Sequence, residues 1–178
     1  MAKPNLVLTG FMGTGKTTVG RLLAQELNYA FVDTDEVIQE KAGKTVPEIF
    51  AEDGEEAFRN MEATVARELA NKQNRVICTG GRLMLDPNNA AALARTGRVF
   101  CLVATAEEIF KRVSEDTGVK RPLLSVPNPK ARILELMEER KQGYGQFRQI
   151  ITSKKKPAKI AQEIIAIFKA EDGASERA

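Results

Sequence analysis

The chain has 178 residues, a formal net charge of +3, two cysteines and no histidine. That length suits one domain with a substantial core, and so mild a charge offers no electrostatic footprint for nucleic acid or an anionic membrane. No apolar run reaches the roughly 18–20 residues that span a bilayer, and without histidine a zinc site is not expected.

The opening Met1-Ala2-Lys3-Pro4 leads straight into the strand candidate Leu6–Thr9, so no signal peptide is expected. The strand runs into Gly10-Phe11-Met12-Gly13-Thr14-Gly15-Lys16-Thr17, the G-x-x-x-x-G-K-[ST] pattern of a phosphate-cradling loop. Gly10, Gly13 and Gly15 permit turns that a Cβ forbids and aim successive N–H groups at one anion. Gly13, Thr14, Gly15, Lys16, Thr17 and Thr18 are therefore expected to bind a nucleoside triphosphate. Lys16 would act as a point charge on the outer phosphates, and the Thr17 hydroxyl as a ligand of Mg²⁺. A helix over Thr17–Leu27 turns its positive end to the phosphates.

The next strand candidate, Ala30–Asp33, ends in Asp33-Thr34-Asp35 before a helix over Glu36–Ala42. In a parallel α/β fold, ligands gather outside the carboxyl ends of the strands. Asp33 suits an Mg²⁺ or Mg²⁺-water ligand, and Asp35 suits a contact with a substrate hydroxyl. Either could equally cap the helix that follows.

Thr45-Val46-Pro47-Glu48 has the spacing of a capping box for a helix over Pro47–Ala51. In the helix Glu55–Asn71, Phe58, Met61, Val65 and Leu69 share one face, and Arg59 stands four residues after Glu55 and three before Glu62. That spacing fits a solvated ion-pair cluster. It also fits an arginine oriented by two acids so that its fork grips a substrate carboxylate. The strand Val76–Thr79 ends in Gly80-Gly81, either a close approach to ligand or an ordinary turn.

A helix over Asn88–Thr96, a strand over Val99–Val103 and a helix over Ala106–Ser114 follow. Cys78 and Cys101 fall inside apolar runs and read as free thiols packed as small hydrophobes in a reducing cytoplasm. The polar, proline-punctuated stretch Asp116–Pro129 exceeds an ordinary connection and reads as a mobile lid. It carries Arg121, which Pro122 biases toward extended backbone and which could close over phosphates. The last elements are a helix over Lys130–Tyr144, a strand over Gln149–Thr152, the cationic run Lys154-Lys155-Lys156-Pro157 and a helix over Ala158–Ala170. The tail Glu171–Ala178 is small and polar and is expected to be disordered. Alternating strands and helices imply a three-layer α/β/α fold around a parallel sheet.

Taken together, these motifs resemble the shikimate kinase family over about Leu6 to Phe168. The matching elements are G-F-M-G-T-G-K-T-T-V-G-R, D-T-D at Asp33–Asp35, F-x-x-x-G-E-x-x-F-R-x-x-E from Phe50 to Glu62, the Gly80-Gly81 pair, R-P-L-L from Arg121 and E-R-x-x-x-Y from Glu139 to Tyr144. The resemblance implies ATP- and Mg²⁺-dependent phosphorylation of the shikimate 3-hydroxyl in the pathway to chorismate. It also implies a five-stranded parallel sheet in the order 2-3-1-4-5. Carried over by position, Asp35, Arg59, Gly81 and Arg140 become substrate-binding residues, Lys16 and Arg121 phosphate contacts, and Thr17 with Asp33 the metal ligands. Catalysis would rest on Lys16, Asp35 and Arg121. The adenine contact falls in Lys154–Pro157, with Lys156 as the assigned residue. A cytoplasmic monomer with neither nucleic-acid nor membrane partners is expected.

Two positions depart from the family pattern: Arg82 replaces the third of three glycines, and Gln142 stands where a proline is usual. Arg82 is expected to turn its side chain away from the bound acid. Two other readings share the P-loop, a gluconate-kinase-like small-molecule kinase and a nucleotide-binding module with little turnover.

Overall fold

The computed structural model describes residues 3–116 and 122–175. Five strands form one sheet in the order β2-β3-β1-β4-β5: β1 (Asn5–Gly10), β2 (Ala30–Asp33), β3 (Arg75–Cys78), β4 (Gly97–Val103) and β5 (Arg148–Ile151). Every pairing is parallel. All six residues of β1 are buried, as a central strand covered on both faces requires.

The helices are α1 (Lys16–Leu27), α2 (Thr34–Ala42), α3 (Val46–Glu52), α4 (Gly54–Leu69), α5 (Pro87–Thr96), α6 (Ala106–Glu115), α7 (Pro129–Gly145) and α8 (Pro157–Ser175). Side chains alternate across the strands and divide the core in two. On one face Leu6, Leu8, Phe100 and Leu102 pack with Leu23 of α1 and with Ile160, Ile164 and Phe168 of α8. On the other, Val7 and Ile77 meet Ile38, Ile49, Phe58, Val65 and Leu93 from α2 to α5. A third cluster joins Phe11 and Cys101 to Ile109 of α6 and to Ile133, Leu136 and Tyr144 of α7.

Most predicted elements are present, with ends shifted by a residue or two. Thr45 and Glu48 form the reciprocal capping box. The instructive shift is in α2, which begins at Thr34 rather than Glu36 because the Asp33 carboxylate accepts the backbone N–H of Asp35. Asp35 thereby enters the first helical turn. The expected tail needs correction over its first residues, since α8 continues to Ser175. Glu171 is held there by Arg148 at 2.7 Å and Arg98 at 3.7 Å, on neighbouring strands. Cys78 and Cys101 are buried free thiols.

Phe168 is 2% exposed and meets Tyr29 edge-on with ring centroids 6.3 Å apart. Phe168→Ala should cost about 3–5 kcal/mol, read in urea unfolding as a lower midpoint at an unchanged slope.

Candidate active site

The site grows from the carboxyl ends of β1, β2 and β3. After β1 the loop turns through positive φ at Gly10 (133°), Gly13 (72°) and Gly15 (94°), as its glycines demand. Gly15 is the N-cap of α1 and makes no side-chain cap, so the first amides of that helix are left for an anion. Thr14 is buried and its hydroxyl donates to Phe11 O at 2.8 Å, so only its backbone can serve a phosphate. Thr17 and Thr18 stand exposed at the mouth. Lys16 Nζ donates to Gly10 O at 2.8 Å and Phe11 O at 3.0 Å. Burial lowers its pKa, opposed by the neighbouring thiols and by Asp35 and Asp33.

Asp33-Thr34-Asp35 divides three tasks. Asp33 Oδ1 accepts from Asp35 N at 3.0 Å, which leaves its second oxygen for another partner. Thr34 is fully buried, and its Oγ1 accepts from Gly80 N at 2.9 Å. Asp35 lies where β2 and β3 end, and its buried Oδ1 has no hydrogen-bond partner. Burial, reinforced by Asp33 and Glu62, pushes its carboxyl up to about 6, although Lys16 and Arg59 pull the other way.

Gly80 makes this convergence possible. A Cβ there would lie 2.6 Å from Asp35 Oδ1 and 3.3 Å from Glu62 Oε1. The neighbouring Gly81 faces α7, where a Cβ would sit 3.7 Å from Arg140 Nη1. Arg140 is 8% exposed with its guanidinium 5.4 Å from the centroid of Phe11. Tyr144, one turn on, donates its phenol to Gly81 O. Burial pushes that phenol up to about 12, so it stays a donor.

Arg59 is fixed on three sides. Its Nη1 donates to Glu62 at 2.7 Å, Nε and Nη2 donate to Glu55 at 3.2 and 3.0 Å, and its guanidinium lies 5.3 Å from the Phe58 ring. Glu62 is 2% exposed; burial raises its pKa and Arg59 opposes the rise. This is more than a solvated surface pair, because one of its two acids is in the interior.

Asp35 and Glu62, the partner of Arg59, thus meet at Gly80, and Arg140 faces the adjoining Gly81. Lys156 stands apart, exposed at the start of α8, where its carbonyl accepts from Lys159 and Ile160. Its loop is tied to the start of α6: Thr105 N donates to Ser153 and Lys154 N to Glu108. Arg121 lies outside the described residues. Three supports were not legible as such: Glu62 as a buried anchor, Tyr144 as the clamp on Gly81, and Arg112 of α6, whose Nη1 donates to Gly13 O at 3.1 Å. Tyr144 stands one turn after Arg140, the spacing that could have singled it out. Arg112 reaches the loop from 99 positions away, a separation no local pattern encodes.

A family model for shikimate kinase matches residues 12–169. The chain belongs to the shikimate kinase family. It is 42% identical to the shikimate kinase of Caldanaerobacter subterraneus subsp. tengcongensis over 92% of this chain and 95% of that one. The solved shikimate kinase of Acinetobacter baumannii, in complex with shikimate, superposes with a TM-score of 0.87 at 36% identity, covering 95% of this chain and 94% of that one. A gluconokinase from Sinorhizobium meliloti superposes at 0.63 with 16% identity, covering 98% and 97% of the two chains, a likeness of fold alone. Like the family to which it belongs, the chain is an ATP-dependent phosphotransferase. No helix among the described residues is long and apolar enough to cross a membrane.

Asp35 generates a prediction with a definite sign. A carboxyl raised from 3.8 to about 6 binds its proton more tightly folded than unfolded. Its ionisation therefore lowers stability above about pH 6, and this penalty fades as pH falls toward the ordinary carboxylate range. Asp35→Asn should be more stable than the parent chain at pH 8, with the gap narrowing at pH 4.5, in denaturant melts at both pH values. The kcat/KM of the parent should fall on the acid side with an apparent pKa near 6.

Proposed function

We propose that the chain transfers the γ-phosphoryl group of ATP to the 3-hydroxyl of shikimate, giving shikimate 3-phosphate and ADP. The observation that carries this reading is the Asp35 carboxyl: buried, its Oδ1 unbonded, at a turn flanked by Arg59 and Arg140. Such a group can orient a hydroxyl, and its raised pKa suits it to accept that proton near neutrality. Two arginines match the charge and the planar fork of a single carboxylate. Lys16 would offset charge on the outer phosphates, helped by Arg121 from the lid. In this reading the segment 116–129, of which residues 117–121 lie outside the described ones, is the lid that covers the phosphates and excludes water. The amides of Gly13 to Thr18 would hold the triphosphate, and the segment with Lys156 would meet the adenine.

The residues present fit Mg²⁺. One hydroxyl at Thr17, the second oxygen of Asp33 and the phosphates form the sparse oxygen set that this ion takes beside a nucleotide. When bound, it supplies charge neutralisation at the β- and γ-phosphates. In this reading the chain acts as a monomer, with Lys16, Asp35, Arg59, Gly81 and Arg140 forming the site. We place that monomer in the cytoplasm.

ADP release measured with shikimate, with gluconate and with no acceptor tests the assignment. Turnover is expected with shikimate alone. Preference for gluconate would favour the gluconate-kinase-like reading, and silence with both would favour a binding module. In the same assay Arg59→Ala should raise the KM for shikimate about ten- to a hundredfold, the loss of one charge-assisted contact, with the KM for ATP nearly unchanged. An equal loss of ATP binding would make Arg59 a structural residue.

A further inference from the structure

Three donors meet on one oxygen beside the substrate face. Glu55 Oε1 accepts from Arg59 Nε at 3.2 Å, from Arg59 Nη2 at 3.0 Å and from Arg82 Nη1 at 3.0 Å. Without Arg82 this group would be one arginine between two carboxylates, Glu55 and Glu62, a net negative charge where an acid is to bind. With Arg82 the group is neutral. Arg82 has φ of −120°, so no left-handed strain accompanies a side chain here. Its guanidinium is half exposed and ends on Glu55. Its charge is also felt deeper in the site, where it partly opposes the rise that burial imposes on Glu62 and Tyr144.

We propose that Arg82 is a positioning residue that raises the affinity of this site for an anionic acceptor by sharing Glu55 with Arg59. By drawing on that carboxylate, it leaves more of the positive field of Arg59 to the substrate. A contribution of this kind acts on the bound acid and on the transition state alike, so it belongs in KM and not in kcat. The inference rests on the shikimate reading of the site. Its size is that of an exposed ion pair, and it is sensitive to screening.

The test is steady-state kinetics of wild type, Arg82→Ala, Arg82→Lys, Glu55→Gln and the Arg82→Ala/Glu55→Gln double variant, varying shikimate and ATP separately at low and high salt. Arg82→Ala should raise the KM for shikimate about two- to fivefold, with kcat and the KM for ATP unchanged. The difference should narrow as salt rises from about 0.01 to 1 M. Arg82→Lys should restore most of the affinity, since an ammonium can also reach Glu55. In the Glu55→Gln background the Arg82→Ala effect should shrink. An undiminished effect there would mean direct contact with substrate and would overturn positioning through Glu55. An unchanged shikimate KM in Arg82→Ala, or a parallel loss in kcat and ATP binding, would overturn the inference outright. Wild-type turnover is the separate check. A wild type inactive on shikimate fails the functional reading itself, whereas an active wild type with an indifferent Arg82→Ala fails this inference alone.

Discussion

A side chain at Gly80 would displace the Asp35 carboxylate, and the geometry of the candidate site depends on its absence. The position joins the end of β3, the first turn of α2, the middle of α4 and, through Gly81, the last turns of α7. A Cβ there would stand 2.6 Å from Asp35 Oδ1. What holds the turn open is polar: Thr34 Oγ1 accepts the Gly80 amide, and Tyr144 donates to the Gly81 carbonyl. Both anchors are buried, where a lost partner leaves an unpaired polar group and costs most.

The sheet order gives this turn its neighbours. β1 lies centrally, between β3 and β4, so the glycine-rich loop stands between the ends of β2 and β3 on one side and the loops after β4 and β5 on the other. Charge is arranged along the same line. Acids hold Arg59 and Arg82 on one side, and on the other the lysine of the loop rests on backbone carbonyls. The arrangement carries an internal penalty, since burying Asp35 beside Asp33 and Glu62 disfavours its ionised form. Stability given up at one carboxylate is a familiar counterpart of catalytic competence.

Much of this was legible in the sequence because it is local. The loop, the capping box and the strand–helix alternation are read within a few residues of themselves, and the structure reproduces them. The spacing of Glu55, Arg59 and Glu62 gave the clamp, but not that Glu62 is interior while Glu55 is exposed. The division of labour in Asp33-Thr34-Asp35 was open, because a carboxylate before a helix serves equally as cap or as ligand. The early start of α2 gives the cap to Asp33 and leaves Asp35 Oδ1 without a hydrogen-bond partner. The pairing of Glu171 with Arg148 and Arg98 was hidden, because composition describes a tail without showing what it touches.

The central claim is that the bare α-carbon at Gly80 sets the place of Asp35. The most direct measurement is the kinetics of Gly80→Ala beside its thermal melt. The account predicts a fall in kcat of roughly a hundredfold or more, as expected when a reacting group is displaced by about an ångström. The melting temperature should change little, since the clash falls on the terminal oxygen of one side chain and not on the sheet backbone. A Gly80→Ala chain that turns over shikimate like wild type would contradict the claim.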